Sequence, residues 1–313
     1  MRVGAIDCGT NSIRLLVADV DDSGVLTDLE RTMRIVRLGQ GVDVTGRIAD
    51  EAMARTLEAA RDYAKTCEEL GVEKARFVAT SASRDASNAA EFIGGVRDAF
   101  SHFGIAPEVV SGLEEASLSF RGATGDVIAS GASAPYLVVD LGGGSTEFVR
   151  GTDSVERSIS MDIGCVRMTE RHLRSDPPTE QEIAAALVDI TAAIDEAEQE
   201  VGFEGIGSLV GLAGSITTIT ANALHLPGYD KKLIHGTRLP VADAESSCTE
   251  LLSASREQRA AMPFMHPGRV DVIGAGALIW RTIVQRVAAA SGIEATITSE
   301  KDILDGIALS VAD

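Results

Sequence analysis

Three opening runs rich in Val, Ile and Leu, residues 2–6, 12–20 and 25–36, predict a meander of three strands with the Asp7 turn at its first corner. The pattern then changes. Over 50–70, Met53, Leu57, Ala60 and Ala64 recur at three- and four-residue steps and Gly71 supplies a stop, predicting a helix. A buried strand over 76–79 leads into Thr80-Ser81-Ala82-Ser83-Arg84-Asp85-Ala86, a polar turn expected to open a helix over 88–100. A strand at 107–110 follows, then Ser111, the expected cap of a helix running towards Arg121.

The plan then repeats. Strands are predicted at 136–140, 145–150 and 154–160, and helices at 165–173 and 180–200, with Pro177, Pro178 and Thr179 marking the start of the second helix. Further on come a strand at 208–212, helices over 242–253 and 269–290, a strand at 295–298 and a last helix from Lys301. Residues 206–226 lack Asp, Glu, Lys and Arg, yet Gly207, Gly211, Gly214 and several Ser and Thr residues make a lipid-facing helix unstable. A buried strand, glycine loop and helix are expected there. The repetition predicts duplication of one βββαβαβα unit into two α/β domains, 1–125 and 126–313, with the helix at 301–313 free to pack back on the first. A cleft between the halves is the expected site.

A short motif stands at the same place in each half. Asp7-Cys8-Gly9-Thr10-Asn11-Ser12 and Asp140-Leu141-Gly142-Gly143-Gly144-Ser145 both put Gly two positions and Ser five positions after Asp, between apolar runs. Such a turn carries few side chains and many backbone N–H groups. It can lie against phosphate oxygens while the Asp at its mouth holds a hydrated cation. Asp7 and Asp140 are therefore candidate Mg²⁺ ligands, with Mn²⁺ as the alternative, and capping of the turn as their plainer role.

Composition narrows the ligand. The 313 residues carry 28 basic and 47 acidic side chains, a formal net charge of −19, so a broad basic face for nucleic acid is not expected. A phosphate ligand must rely on local donors and a divalent cation, because charges beyond about 8 Å are screened at physiological salt. Cys8, Cys67, Cys165 and Cys248 are too scattered for a zinc site or a disulfide framework. Asp7 comes too early for a signal-peptide apolar core, so a cytoplasmic setting without a membrane partner is expected.

The two turns, together with Thr80–Ala86, Ser111-Gly112-Leu113-Glu114-Glu115-Ala116, Gly211-Leu212-Ala213-Gly214-Ser215 and Ser299-Glu300-Lys301-Asp302-Ile303-Leu304-Asp305-Gly306, resemble in order the motifs of the Ppx/GppA phosphatase family. That family lies within the group of actin-like ATPases, sugar kinases and Hsp70. The resemblance implies two actin-like (ribonuclease H-like) domains with mixed sheets flanked by helices and the active site between them. It also implies Mg²⁺-dependent hydrolysis of the terminal phosphoanhydride of inorganic polyphosphate, of guanosine pentaphosphate, or of both, in a homodimer. The likeness is to the short form without the C-terminal HD-like region, which puts processivity on long polymers in question.

Glu115 is then the expected residue that orients or deprotonates the attacking water and a third metal candidate, Glu114 being the alternative. Arg84 and Arg14 are candidate guanidinium donors, since the planar fork binds two phosphate oxygens at once; a surface ion pair is the other reading of Arg14. Asn11, Ser12, Ser81, Ser83, Gly142, Gly143, Gly144, Ser145 and Thr146 supply backbone or hydroxyl contacts. Gly214 and Ser215 either contact a phosphate or let their helix pack closely. Lys231, Lys232 and the 234–238 segment form a compact basic patch, a guide for the polymer or a solvated loop. An ATP-dependent small-molecule kinase and a non-catalytic phosphate sensor are the competing functions.

Overall fold

The computed structural model describes residues 1–21 and 24–312. Eleven strands are assigned among them: β1 Arg2–Cys8, β2 Ser12–Val20, β3 Leu26–Ile35, β4 Lys74–Ala79, β5 Glu108–Val109, β6 Tyr136–Leu141, β7 Thr146–Gly151, β8 Val155–Met161, β9 Ser208–Leu212, β10 Arg238–Pro240 and β11 Ala295–Thr298. The chain separates into two compact units. One is Met1–Gly122 with the C-terminal helix Ile303–Ala312, and the other is Ala123–Asp302. The sequence division fell instead after residue 125.

In the first unit the sheet order is β3-β2-β1-β4-β5. β1, β2 and β3 form an antiparallel meander, while β4 joins β1, and β5 joins β4, in parallel. Alternation along β1 and β2 sends Ile6, Cys8, Ile13, Leu15 and Val17 to one face, where Ala59, Ala60 and Tyr63 of helix Asp50–Glu69 and Phe92 and Val96 of helix Ala89–Ala99 cover them. The opposite face, with Val3, Ala5, Leu16 and Ala18, is closed by Ile303, Leu304, Ile307 and Ala308 of the C-terminal helix. Gly306 lets that helix seat, since a Cβ there would stand 1.9 Å from the Leu118 carbonyl oxygen.

The second unit repeats the order as β8-β7-β6-β9-β11 and adds β10 beyond β11. Pairing repeats too, with β6, β7 and β8 antiparallel and β6, β9 and β11 parallel. Helices Glu180–Val201, Ala213–Ala223, Val241–Ser253 and Ile273–Ser291 bury a core around Trp280, whose ring lies so close to Gly211 that a Cβ there would be 2.8 Å away. Residues 206–226 form β9 and helix Ala213–Ala223, as their polar content required.

Several elements differ from the sequence reading. Ser81–Asp85 is a short helix rather than a turn, the helix begun at Gly112 continues past Arg121 to Ala129, and the last helix starts at Ile303. The short helices Val42–Thr45, Lys231–Ile234 and Arg256–Ala261, and β10, carry too few residues to show a period.

Candidate active site

Each Asp-Gly turn is closed by the same backbone bond. Gly9 N–H donates to Ser12 O at 2.9 Å, and Gly142 N–H to Ser145 O at 3.0 Å. The carbonyls inside the turns are tied back to the protein. In the first turn Gly39 N–H donates to Thr10 O at 2.9 Å, while Val36 and Arg37 N–H both donate to Asn11 O at 3.0 and 2.9 Å. In the second, Cys165 N–H donates to Gly142 O at 3.0 Å, and Val166 and Arg167 N–H donate to Gly143 O at 2.9 and 3.1 Å. Arg167 Nε completes the set with a 2.7 Å bond to Gly144 O.

In a trans peptide the N–H points opposite to the C=O. Anchoring successive carbonyls on one side therefore turns the N–H groups of Asn11 and Ser12, and of Gly143, Gly144 and Ser145, to the other. Such successive amides form an anion-binding concavity. The fit is close, because a Cβ on Gly164 would lie 2.3 Å from Gly143 O. Thr10 Oγ1 and Ser83 Oγ, both in the first unit, are buried without a hydrogen-bond partner, which adds hydroxyls of the kind a phosphate oxygen accepts from.

Register decides what faces each Asp. Asp7 is opposite Arg14 across β1 and β2, and Arg14 Nη2 and Nε bond Asp7 Oδ2 at 2.6 and 2.9 Å. Asp140 is opposite Glu147 across β6 and β7. Residues directly opposite in an antiparallel pair present their side chains on one face. Two buried carboxylates, Asp140 at 7% and Glu147 at 1% exposure, thus stand side by side in the second unit. Ser160 donates to Glu147 Oε1 at 2.7 Å. The duplication has therefore kept the aspartate and exchanged its partner, Arg in one copy and Glu in the other.

The neighbours Glu114 and Glu115 separate at the start of helix Gly112–Ala129. Glu114 is exposed and receives Arg76 Nη2 at 2.6 Å. Glu115 is buried, and Arg84 Nη1 reaches both its Oε2 at 2.7 Å and Val110 O at 3.0 Å. Arg84 stands at the end of helix Ser81–Asp85, whose Ser81 and Ser83 are buried beside it.

At the glycine loop of the second unit, Ala213 adopts the left-handed φ of 69° and turns β9 into its helix. A Cβ on Gly214 would lie 2.1 Å from the Arg269 guanidinium, which also donates to Thr218 Oγ1 at 3.2 Å and lies over the Tyr229 ring. Ser215 is buried against Gly276, and burial raises the pKa of the nearby Cys165 thiol. Tyr229 in turn donates to Glu300, and burial raises the pKa of that carboxyl. Lys231 and Lys232 are exposed, and His235 is engaged by Asp126 and the Glu300 N–H.

Sequence reasoning named the turns, Glu115 and Arg84 but not Thr10, Glu147, Arg167 or Arg269. The signal for Glu147 was present, seven positions after Asp140 as Arg14 is after Asp7, and only the strand register gives it meaning. Among the described residues no group of three or more His, Cys, Asp or Glu side chains is placed as a metal-binding cluster. The two neighbouring carboxylates of Asp140 and Glu147 beside a turn of outward amides suit Mg²⁺, which binds through one or two carboxylates and keeps waters as further ligands.

The chain resembles known proteins along its whole length. Residues 16–311 match the model of the Ppx/GppA phosphatase family. Exopolyphosphatase 2 of Mycobacterium tuberculosis is 50% identical over 316 residues, covering 99% of this chain and 98% of that protein. A crystal structure of an exopolyphosphatase-like protein superposes with a TM-score of 0.94 at 44% identity, covering 99% of this chain and 97% of the other. The Aquifex aeolicus PPX-GPPA enzyme gives 0.80 at 30% identity, covering 99% of both. With its motifs in order and its likeness running from end to end, this chain belongs to the Ppx/GppA phosphatase family.

Proposed function

We propose that the protein is an exopolyphosphatase, hydrolysing the terminal phosphoanhydride of inorganic polyphosphate and releasing orthophosphate. The observation that carries the proposal is Glu115, a buried carboxylate held by Arg84 beside the first phosphate turn. A carboxylate so fixed can align a water and take its proton, whereas a kinase has to exclude water. The full-length likeness to a relative named exopolyphosphatase 2 supports the same substrate.

In this reading each turn offers its outward amides to phosphate oxygens, joined by the hydroxyls of Thr10, Ser12, Ser81 and Ser83 in the first unit and of Ser145 in the second. Arg84 orients Glu115 through one arm. The Arg14 guanidinium, anchored by Asp7, adds positive charge at the mouth of the first turn. Asp140 and Glu147 hold Mg²⁺, which when bound neutralises charge on the phosphate oxygens. We extend the reading to Mg²⁺ dependence and a homodimer, as the family resemblance implies, and to a cytoplasmic setting.

The test is orthophosphate release by the purified protein from short polyphosphate, long polyphosphate, guanosine pentaphosphate and ATP at equal terminal-phosphate concentration, with a chelated control. Release mainly from polyphosphate, abolished by chelation, is expected. Release from guanosine pentaphosphate alone would move the assignment to the guanosine substrate, and release from none would remove the hydrolase reading.

A further inference from the structure

The two phosphate turns share their closing bond and differ in what anchors their carbonyls. Gly9, Thr10, Asn11 and Ser12 correspond to Gly142, Gly143, Gly144 and Ser145, each 133 positions apart as Asp7 and Asp140 are. In the first turn the carbonyl before the serine, that of Asn11, is held by the N–H groups of Val36 and Arg37. Arg37 itself takes a left-handed φ of 50°, a conformation unfavourable for a side-chain-bearing residue. In the second turn the equivalent carbonyl, that of Gly144, is held by a side chain, Arg167 Nε at 2.7 Å. Arg167 is only 11% exposed, and its far end lies 3.5 Å from the exposed Asp162.

This carbonyl matters because the peptide that carries it also carries the N–H of Ser145. Gly144 has no Cβ to restrict its ψ, so on that side the peptide is held in place by its hydrogen bonds rather than by sterics. We propose that Arg167 is a positioning residue of the phosphate site: by fixing the Gly144 carbonyl it aims the Ser145 N–H at a phosphate oxygen of the substrate. The first turn reaches the same result with strained backbone, and the second with a guanidinium. The inference rests on the phosphate-binding reading of the turn and deepens it, and it assigns Arg167 a donor's role at a carbonyl rather than a charge on the substrate.

The chemistry of the side chain supplies the test. The amide nitrogen of glutamine sits at the same number of bonds from the backbone as Arg Nε, so Arg167→Gln keeps a donor at the right place without the charge. Arg167→Met keeps length and loses the donor. KM and kcat on polyphosphate, and the Kd of orthophosphate by calorimetry, are measured on the full chain with folded protein confirmed by thermal melting. Methionine is expected to raise KM and Kd by about 10- to 100-fold, as loss of an orienting partner does elsewhere, and glutamine by no more than about threefold.

Glutamine as weak as methionine would overturn the inference, because charge would then be the working property. Methionine with native KM and Kd and a lowered melting temperature would also overturn it, leaving a purely structural bond. A wild-type protein that binds orthophosphate with the same order of variants, yet releases none from polyphosphate, would sustain the positioning role while removing the exopolyphosphatase reading. A wild-type protein that binds no orthophosphate would remove both.

Discussion

Glu114 and Glu115 differ by one position and by everything around them. A helix turns about 100° per residue, so one carboxylate reaches the surface and Arg76 while the other is buried against Arg84. The pair was ambiguous in the sequence because adjacent glutamates are chemically identical and follow Ser111 at three and four positions, both within the first helical turn. Burial and ion-pair partner separate them, and both depend on residues more than thirty positions away. Glu147 was hidden for a related reason. Its role comes from lying opposite Asp140, and cross-strand register is not written in either strand alone. Replacing Glu147 with Gln removes one of two adjoining carboxylate charges and should shift the Mg²⁺ concentration for half-maximal activity upward by about 10- to 100-fold, the range for perturbed metal sites. A Mg²⁺ titration of orthophosphate release checks this, and an unchanged midpoint would take Glu147 out of cation binding.

Among the elements, the helix Glu180–Val201 shows how local sequence dictates local structure. Thr179 and Glu182 form a capping box: the Thr179 side chain accepts from Glu182 N–H, and Glu182 accepts from Thr179 N–H. The carboxyl of Glu182 also receives Arg174 and Ser175 N–H. Its pKa is held down to about 2, first by the Thr179 N–H, against an ordinary value of 4.5. A group whose folded pKa is depressed contributes stability that is complete above its unfolded pKa and fades as pH falls through the folded one. The cap should therefore weaken between about pH 4.5 and pH 2, and Glu182→Gln should flatten the acid-unfolding curve in that window. Thr179→Ala should cost about 1 kcal/mol at neutral pH, as loss of a Thr cap does, in a denaturant titration.

Strong caps and long periods made elements of this kind legible from sequence, down to the start at Glu180. Helix Ser81–Asp85 was not, since two serines among five residues favour turns and caps over helix interiors, and the helix persists because Ser81, Ala82 and Ser83 are buried in tertiary packing. The glycine loop shows a different limit. Arg269 fills the space beside Gly214 from 55 positions downstream, so the sequence displayed the absent side chain but not what occupies its place.

For the molecule as a whole, duplication was the most legible property, because each half writes its own Asp-Gly turn between apolar runs and each sheet reproduces the same strand order. The return of the C-terminal helix to the first unit was less so. Its apolar residues could have covered either sheet, and the choice rests on Arg31, which forms a two-pronged pair with the buried Asp305 at 2.6 and 3.2 Å, and on Gly306 against Leu118. Asp305→Ala takes away the two-pronged partner of Arg31, which keeps its 2.7 Å bond to Asp28, and should cost about 1.5–3 kcal/mol. Because that helix closes the core over Val3, Ala5, Leu16 and Ala18, the loss should appear as a lower unfolding midpoint of the first unit, read by hydrogen exchange in β1 and β2. Protection unchanged from wild type in those strands would mean that the helix does not hold that face of the sheet.

Hydrolysis by water at Glu115 is tested most directly by the Glu115→Gln variant, with polyphosphate binding and orthophosphate release measured on one preparation. Glutamine keeps the shape and the contact with Arg84's neighbourhood but cannot take a proton. Binding should stay within about threefold of wild type while kcat falls about 100-fold or more, the share supplied by a general base. Turnover at the wild-type rate would contradict the role given to Glu115 and with it the mechanism proposed for the site.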